Sequence, residues 1–275
     1  MGLNLWRRTG EPPRLVGHRG ACAVAPENTM ASFQRAWEEG ADVVELDVRR
    51  SADGHVVVIH DATVDRTTDG RGPVAGLTLQ ELKRLDAGRW FDPAFAGESI
   101  PTLAEVLAWA RGRIGLLIEL KYDPGAFDPE LAPAVAALLR RHGVVEQAAC
   151  ISYSVRGLLQ IKESLPGLPI GPIVREHRLA RWLARLSHPI PGLTQLPALR
   201  RLLLHALTFV QTMGGDFVAP STAMLTPLLV RASHVAGFPV SPGGRRWDYP
   251  AAIAMGVDTI SANDPGAVRR TYLTE

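Results

Sequence analysis

The chain has 275 residues, 46% of them hydrophobic, with 30 basic against 28 acidic side chains and a formal net charge of +2. That balance gives no global case for nucleic-acid binding, no stretch reaches the roughly 18 apolar residues of a membrane span, and the two cysteines, Cys22 and Cys150, cannot build a disulfide framework. The N-terminus carries neither a signal-peptide nor a myristoylation pattern, so the expected location is the cytoplasm.

Short β-branched runs recur at 15–17, 43–48, 115–120, 149–153, 170–174, 217–219, 238–241 and 257–261. Helical segments separate most of them. Positions 30–39 follow the capping candidates Asn28 and Thr29 and stop at Gly40. Thr102 and Glu105 form a capping box that opens a helix to Arg111. Positions 129–142 stop at Gly143, 225–236 stop at Gly237, and Pro265 stands at a first helical position. Alternation of this kind implies parallel strands with right-handed crossovers. Eight units in about 250 residues suggest a (β/α)8 TIM barrel forming a single domain over 1–275. A doubly wound open sheet is the alternative, because periodicity does not report closure.

Two regions depart from the alternation. Runs 43–48 and 55–60 are joined by a few residues containing Asp53-Gly54, a hairpin signal too short for a parallel crossover. Folding back there is expected to set His60 opposite Asp47. Positions 61–100, with a capping box at Thr78 and Glu81, then read as a small insertion over one barrel mouth. The second departure is 176–215, which has no acidic residue after Glu176 but contains Arg178, Arg181, Arg185, Arg200 and Arg201. It reads as a basic helical insertion for peripheral contact with an anionic membrane surface. Packing on the barrel and a homodimer contact are the competing readings.

The chemistry sits in the first half. In Glu45-Leu46-Asp47 both carboxylates share one face of a strand, since alternate side chains do. Glu119-Leu120-Lys121 repeats the pattern at the end of another apolar run. Each acid alone would be read as a solvated strand cap. Two strands ending this way are better explained by a cation, because charges in apolar runs are costly and converging carboxylates cannot all stay ionised without one. Oxygen-only ligands suit a hard divalent ion, Mg2+ or Ca2+. His18 and His60 fall at strand ends near this point, where two histidines could take and give a proton near neutral pH. Arg19 and Lys121 could neutralise phosphate oxygens.

In this order, His18-Arg19-Gly20, Pro26-Glu27-Asn28-Thr29, Glu45-Leu46-Asp47, His60-Asp61, Arg66-Thr67-Thr68-Asp69-Gly70, Ile100-Pro101-Thr102-Leu103 and Glu119-Leu120-Lys121, the chain resembles the glycerophosphodiester phosphodiesterase family. The resemblance is dense from about Leu15 to Lys121 and thinner after it. It implies a β/α barrel with an insertion after the His-Asp motif, and a small-molecule glycerophosphodiester substrate cleaved to glycerol 3-phosphate and an alcohol. It further implies Glu45, Asp47 and Glu119 as ligands of one divalent cation, His18 and His60 as the acid–base pair, Arg19 and Lys121 on phosphate, and Glu27 and Asn28 as supports. Two departures stand out. Ser241-Pro242-Gly243-Gly244 replaces the family's usual Trp-Thr-Val-Asn, with Trp247 a substitute for the missing aromatic, and Ala262-Asn263 replaces Thr-Asp. Both are expected to touch the substrate pocket. A lysophospholipase D acting on lysolipids and a catalytically inactive phosphate-binding barrel are the competing functions; intact His18 and His60 argue against the second.

Overall fold

The computed structural model describes residues 5–7, 10–123, 125–175, 204–244 and 247–273. Seven parallel strands form the frame: β1 (Arg14–Gly17), β2 (Val43–Arg50), β4 (Gly115–Leu120), β5 (Ala148–Ser152), β6 (Ile170–Val174), β7 (Ala219–Pro220) and β8 (Thr259–Ala262). They run in the order β7-β6-β5-β4-β2-β1-β8, with β3 (Val56–Val58) antiparallel on β2. The gap between β7 and β8 is spanned by the seventh run, 238–241. Val240 bridges Val218 in parallel, Gly243 bridges Ser221, and Asp258 N donates to Val240 O at 2.9 Å. The ring closes through this thin seam, as the eight-unit pattern predicts.

The strands read as near-continuous apolar runs because both faces are buried. On β2, Val44, Leu46 and Val48 join an outer core with Phe33 of α1 (Met30–Glu38) and with Leu103, Val106 and Leu107 of the helix Leu103–Ala110. Val43 turns inward with Val16, Leu117, Ala149, Ile151 and Phe217. The same inward cluster includes Leu5 with Trp6 packed against it, Trp6 lying 4.7 Å from Phe217 between ring centroids. Leu46 is fully buried, and a side chain of its size contributes about 1.5–3 kcal/mol through burial. The predicted caps form: Thr29 accepts from Ser32 N, and the boxes Thr78–Glu81 and Thr102–Glu105 are reciprocal. The helices Val155–Ser164 and Tyr249–Met255 lie outside the expected helical segments.

The hairpin register differs from expectation by one residue. Val48 pairs with Val58 and Ile59 N donates to Asp47 O at 2.9 Å, so Ile59 rather than His60 lies opposite Asp47. The cause is the turn: Ser51 N bonds His55 O, leaving three residues at the tip instead of two. Val57 and Ile59 then face Val64, Val74, Leu82, Ala87 and Ile100, a small separate core carried by 61–100. Of the basic segment 176–215, residues 176–203 lie outside the described residues. The helix His205–Met213 that follows buries Ala206, Leu207 and Val210 against Val174, Val218 and Leu229. Among the described residues no helix is long and apolar enough to cross a membrane.

Candidate active site

The site lies at the carboxyl ends of β1, β2, β4 and β8, the end of a β/α barrel where chemistry sits. Asp47 pairs in register with Glu119 across β2 and β4, and Glu45 with Leu117, so all three acids project into the barrel mouth. They are 5%, 1% and 8% exposed for Glu45, Asp47 and Glu119, and each offers an oxygen within 4.8 Å of the others. Burial, and after it the Asp47 charge, pushes Glu45 above the usual carboxylate range. Burial also raises Glu119, against the pull of Lys121. Burial alone would raise Asp47 too, but the facing Lys121 and Arg19 cations hold it ionised, below its ordinary value.

Lys121 Nζ stands 3.0 Å from Asp47 Oδ1 and 2.7 Å from Glu119 Oε1. Both oxygens are buried and share that one ammonium. Three buried carboxylates facing Arg19 and Lys121 carry more charge than those two cations balance, and a hard cation answers it: the converging carboxylates supply the oxygen donors that Mg2+ or Ca2+ prefers.

Arg19 sits at φ 51°, a conformation rare outside glycine. It lets the backbone N donate to Glu45 Oε2 at 2.9 Å while Nη1 donates to Glu27 Oε1 at 2.8 Å and Nε lies 3.3 Å from Asp47 Oδ2. The following Gly20 is required, since a Cβ there would lie 2.4 Å from Ser32 Oγ. Asn28, also left-handed at φ 58°, is no helix cap. Its Nδ2 donates to Asp47 Oδ2 at 2.8 Å and its Oδ1 accepts from Asp47 N at 3.2 Å.

The two histidines have different partners. His60 Nδ1 lies 2.6 Å from Asp61 Oδ1. Arg66 grips Asp61 through Nε at 2.6 Å and Glu27 through Nη1 at 2.8 Å, tying the 61–100 segment to the loop after β1. Arg49 Nε donates to His60 O at 3.0 Å and Nη1 to Asp123 Oδ2 at 3.0 Å. His18 Nδ1 instead faces Asn263 Oδ1 at 2.8 Å. Burial lowers both histidines from their ordinary value.

All nine side chains singled out in the sequence thus gather at one mouth. Asp61, Arg66, Arg49 and Asn263 join them without having been assigned a role. Arg49 was findable, being two residues beyond Asp47 on the same strand face. The Asn263 departure touches His18 directly. Trp247 stacks on Tyr249 with centroids 5.4 Å apart and packs on the β1–β8 core.

Residues 18–267 match the glycerophosphoryl diester phosphodiesterase family. A glycerophosphodiester phosphodiesterase of Caldanaerobacter subterraneus subsp. tengcongensis is 34% identical over 254 residues, 91% of this chain and 94% of that protein. YhdW of Bacillus subtilis is 45% identical over 161 residues, 58% of this chain and 65% of that protein. Among solved structures, glycerophosphodiester phosphodiesterase from Agrobacterium tumefaciens superposes with TM-score 0.73 at 32% identity, covering 92% of this chain and 97% of that one. An Oleispira antarctica phosphodiesterase in complex with the product sn-glycerol-3-phosphate gives TM-score 0.78 at 25% identity, covering 96% and 98%. The chain therefore belongs to the glycerophosphoryl diester phosphodiesterase family, and it is a phosphoric diester hydrolase.

Proposed function

We propose that this chain hydrolyses glycerophosphodiesters to glycerol 3-phosphate and an alcohol, using one divalent cation, Mg2+ or Ca2+, held by Glu45, Asp47 and Glu119. The observation that carries the reading is the convergence of these three buried carboxylates within 4.8 Å, flanked by Arg19 and Lys121. When bound, the cation would polarise the phosphoryl group and stabilise the attacking oxygen. The product held by the Oleispira antarctica relative is sn-glycerol-3-phosphate, which supports the same bond being broken here.

The chain's own groups supply the rest. Arg19 and Lys121 meet the phosphate oxygens, Arg19 as a planar fork fixed by Glu27 and Lys121 as a point charge. With Asn263 Oδ1 facing its Nδ1, His18 carries its proton there and leaves Nε2 free to accept one. A neutral amide fixes that tautomer and favours an imidazolium less than a carboxylate does. Asp61 beside His60 Nδ1 does favour an imidazolium. His18 is accordingly the base that takes the proton of the attacking oxygen, from water or, ahead of a second hydrolytic step on the cyclic phosphate, from the glycerol hydroxyl, and His60 the acid that gives one to the leaving alkoxide. Arg66 and Arg49 position His60 through Asp61 and the His60 carbonyl.

The test is hydrolysis of glycerophosphocholine, glycerophosphoethanolamine and lysophosphatidylcholine with excess EDTA, then with Mg2+ or Ca2+ restored, alongside titration of cation into wild type and Glu45→Gln by calorimetry. Turnover of the two water-soluble diesters should vanish in EDTA and return with cation, and the variant should bind none while keeping its circular dichroism. Full turnover in EDTA refutes the metal site, and activity confined to the lysolipid would favour the lysophospholipase D reading.

A further inference from the structure

The acid, base and phosphate-facing groups come from β1, β2, the hairpin, β4 and the end of β8. The ends of β5 and β6 contribute none of them, yet they are not bare. Ile151 of β5 pairs with Glu119 of β4 on one side and with Gly171 of β6 on the other. Ile151 and Ile173 both pack in the cluster that fills the barrel interior. Two residues further on, Tyr153 and Arg175 continue that inward face at the mouth. The Arg175 guanidinium carbon lies 4.5 Å from the centre of the Tyr153 ring. Tyr153 is 50% exposed and Arg175 is exposed. The Tyr153 phenol is within electrostatic reach of both Glu119 and Lys121, so the pair borders the reaction centre on the side away from the histidines.

We infer that Tyr153 and Arg175 form the specificity element for the alcohol side of the substrate, selecting glycerophosphodiesters whose alcohol carries a second anionic group, a phosphate or a carboxylate. The inference rests on the phosphodiesterase reading above. A guanidinium set over an aromatic ring is held by the ring's quadrupole, and with a hydrogen bond to the Tyr153 side chain it keeps its remaining N–H donors for the planar, bidentate acceptors it suits. Among the described residues no carboxylate is paired with Arg175, in contrast to Arg19 and Lys121, whose charges are already balanced by the acids of the site. A cationic head group has no such welcome, because the Tyr153 face that could stack against an ammonium is covered by Arg175, and the approach meets like charge. The reacting phosphate needs Arg19 and Lys121; a second anion two strands further round the mouth finds Arg175.

The experiment compares kcat/KM, in the presence of the cation, for glycerophosphoglycerol (neutral alcohol), glycerophosphocholine (cationic), bis(glycerophospho)glycerol (second phosphate) and glycerophosphoglycolate (carboxylate without an amine). In the wild type the phosphate or carboxylate diester should exceed the neutral one by about five- to tenfold, the range for a charge-assisted contact at a solvent-reachable rim. In Arg175→Gln that ratio should fall to about one, with the change carried by KM, as expected for contacts remote from the reacting atoms. Arg175→Lys should keep part of it, and Tyr153→Leu, which removes the platform, should lower it. Which of the two anionic diesters leads tells phosphate from carboxylate. A wild-type ratio near one, or a ratio that survives Arg175→Gln, overturns the inference while hydrolysis of the neutral diester leaves the phosphodiesterase reading standing. Failure to cleave any of the four diesters would overturn that reading and this inference with it.

Discussion

Asn28 offers a measurable test of how the site is built. Strand β1 ends at Gly17, paired with Val44 of β2, and β3 pairs with β2 only from Val48 onward, so between them β2 has a gap on that edge. The Asn28 side chain takes the place of a neighbouring peptide: its Oδ1 accepts from Asp47 N at 3.2 Å and its Nδ2 donates to Asp47 Oδ2 at 2.8 Å. The residue is 4% exposed. Removing a hydrogen bond to a buried charge costs about 1.5–3 kcal/mol, and leaving a buried N–H unpaired about 1–3 kcal/mol. Asn28→Gly should therefore lower stability by about 3 kcal/mol, with water recovering part of the sum. Asn28→Ala should cost about 1 kcal/mol more, because φ 58° suits glycine and asparagine and strains alanine. The measurement is equilibrium urea unfolding followed by circular dichroism, with EDTA present so that cation linkage does not enter. Wild-type stability in Asn28→Ala, or no difference between the alanine and glycine variants, would refute the bridging role and the backbone argument respectively.

The remaining predictions concern the proton inventory and the thiols. His18→Ala and His60→Ala should each lower kcat by at least about 10²-fold, and the double variant should be little worse than either, because groups acting as a unit are non-additive; wild-type rates in both single variants would remove the assignment. His18 is lowered below 6.5 by burial, and next by Arg19, so it is neutral and competent as a base at pH 7, and activity falls as pH drops through its value. Asn263→Asp places a carboxylate on it, raises that value by about one unit or more, and should move the acid limb of the kcat/KM profile upward by the same amount; an unmoved limb would assign that limb to another group. Burial pushes the Cys22 thiol up to about 12, so a thiol reagent at pH 8 should label it slowly in the native protein and rapidly in urea. Rapid native labelling at Cys22 would contradict the burial argument.

What could be read from the sequence follows from which signals are local. Carboxylates in apolar runs are conspicuous, and strict alternation in a strand puts Glu45 with Asp47 on one face whatever the register. The parallel pairing of Asp47 with Glu119 then needed only the barrel topology. The hairpin register was misjudged because Asp53-Gly54 suggests a two-residue tip, whereas the Ser51 hydroxyl accepts from His55 N at 2.9 Å and widens the turn by one. The helix Val155–Ser164 was missed in part because Gly157 interrupts its helical pattern. That glycine answers to a partner distant in sequence, since a Cβ there would lie 2.3 Å from Tyr122 Cε2. The Asn263 contact with His18 spans 245 positions, and no local pattern carries it. The positive φ of Arg19 and Asn28 is likewise a product of tertiary contacts, because neither residue type demands it.

The barrel has a second end. Gly115 opens β4 at the pole opposite the carboxylates, and the space beside its α-carbon is taken by Leu5, whose Cδ2 would lie 2.8 Å from an added Cβ. With Trp6 against Phe217, Leu5 works as a stopper, driven in from a stretch of chain that belongs to no strand. A protease cut just after Trp6 would leave every ligand and both histidines covalently in place yet release the stopper. Solvent would reach the interior layer of Val16, Val43, Leu117 and Ile151 from below, and with it the floor on which Glu45 rests. The reaction centre therefore draws its dryness from residues at the far pole that never approach a substrate.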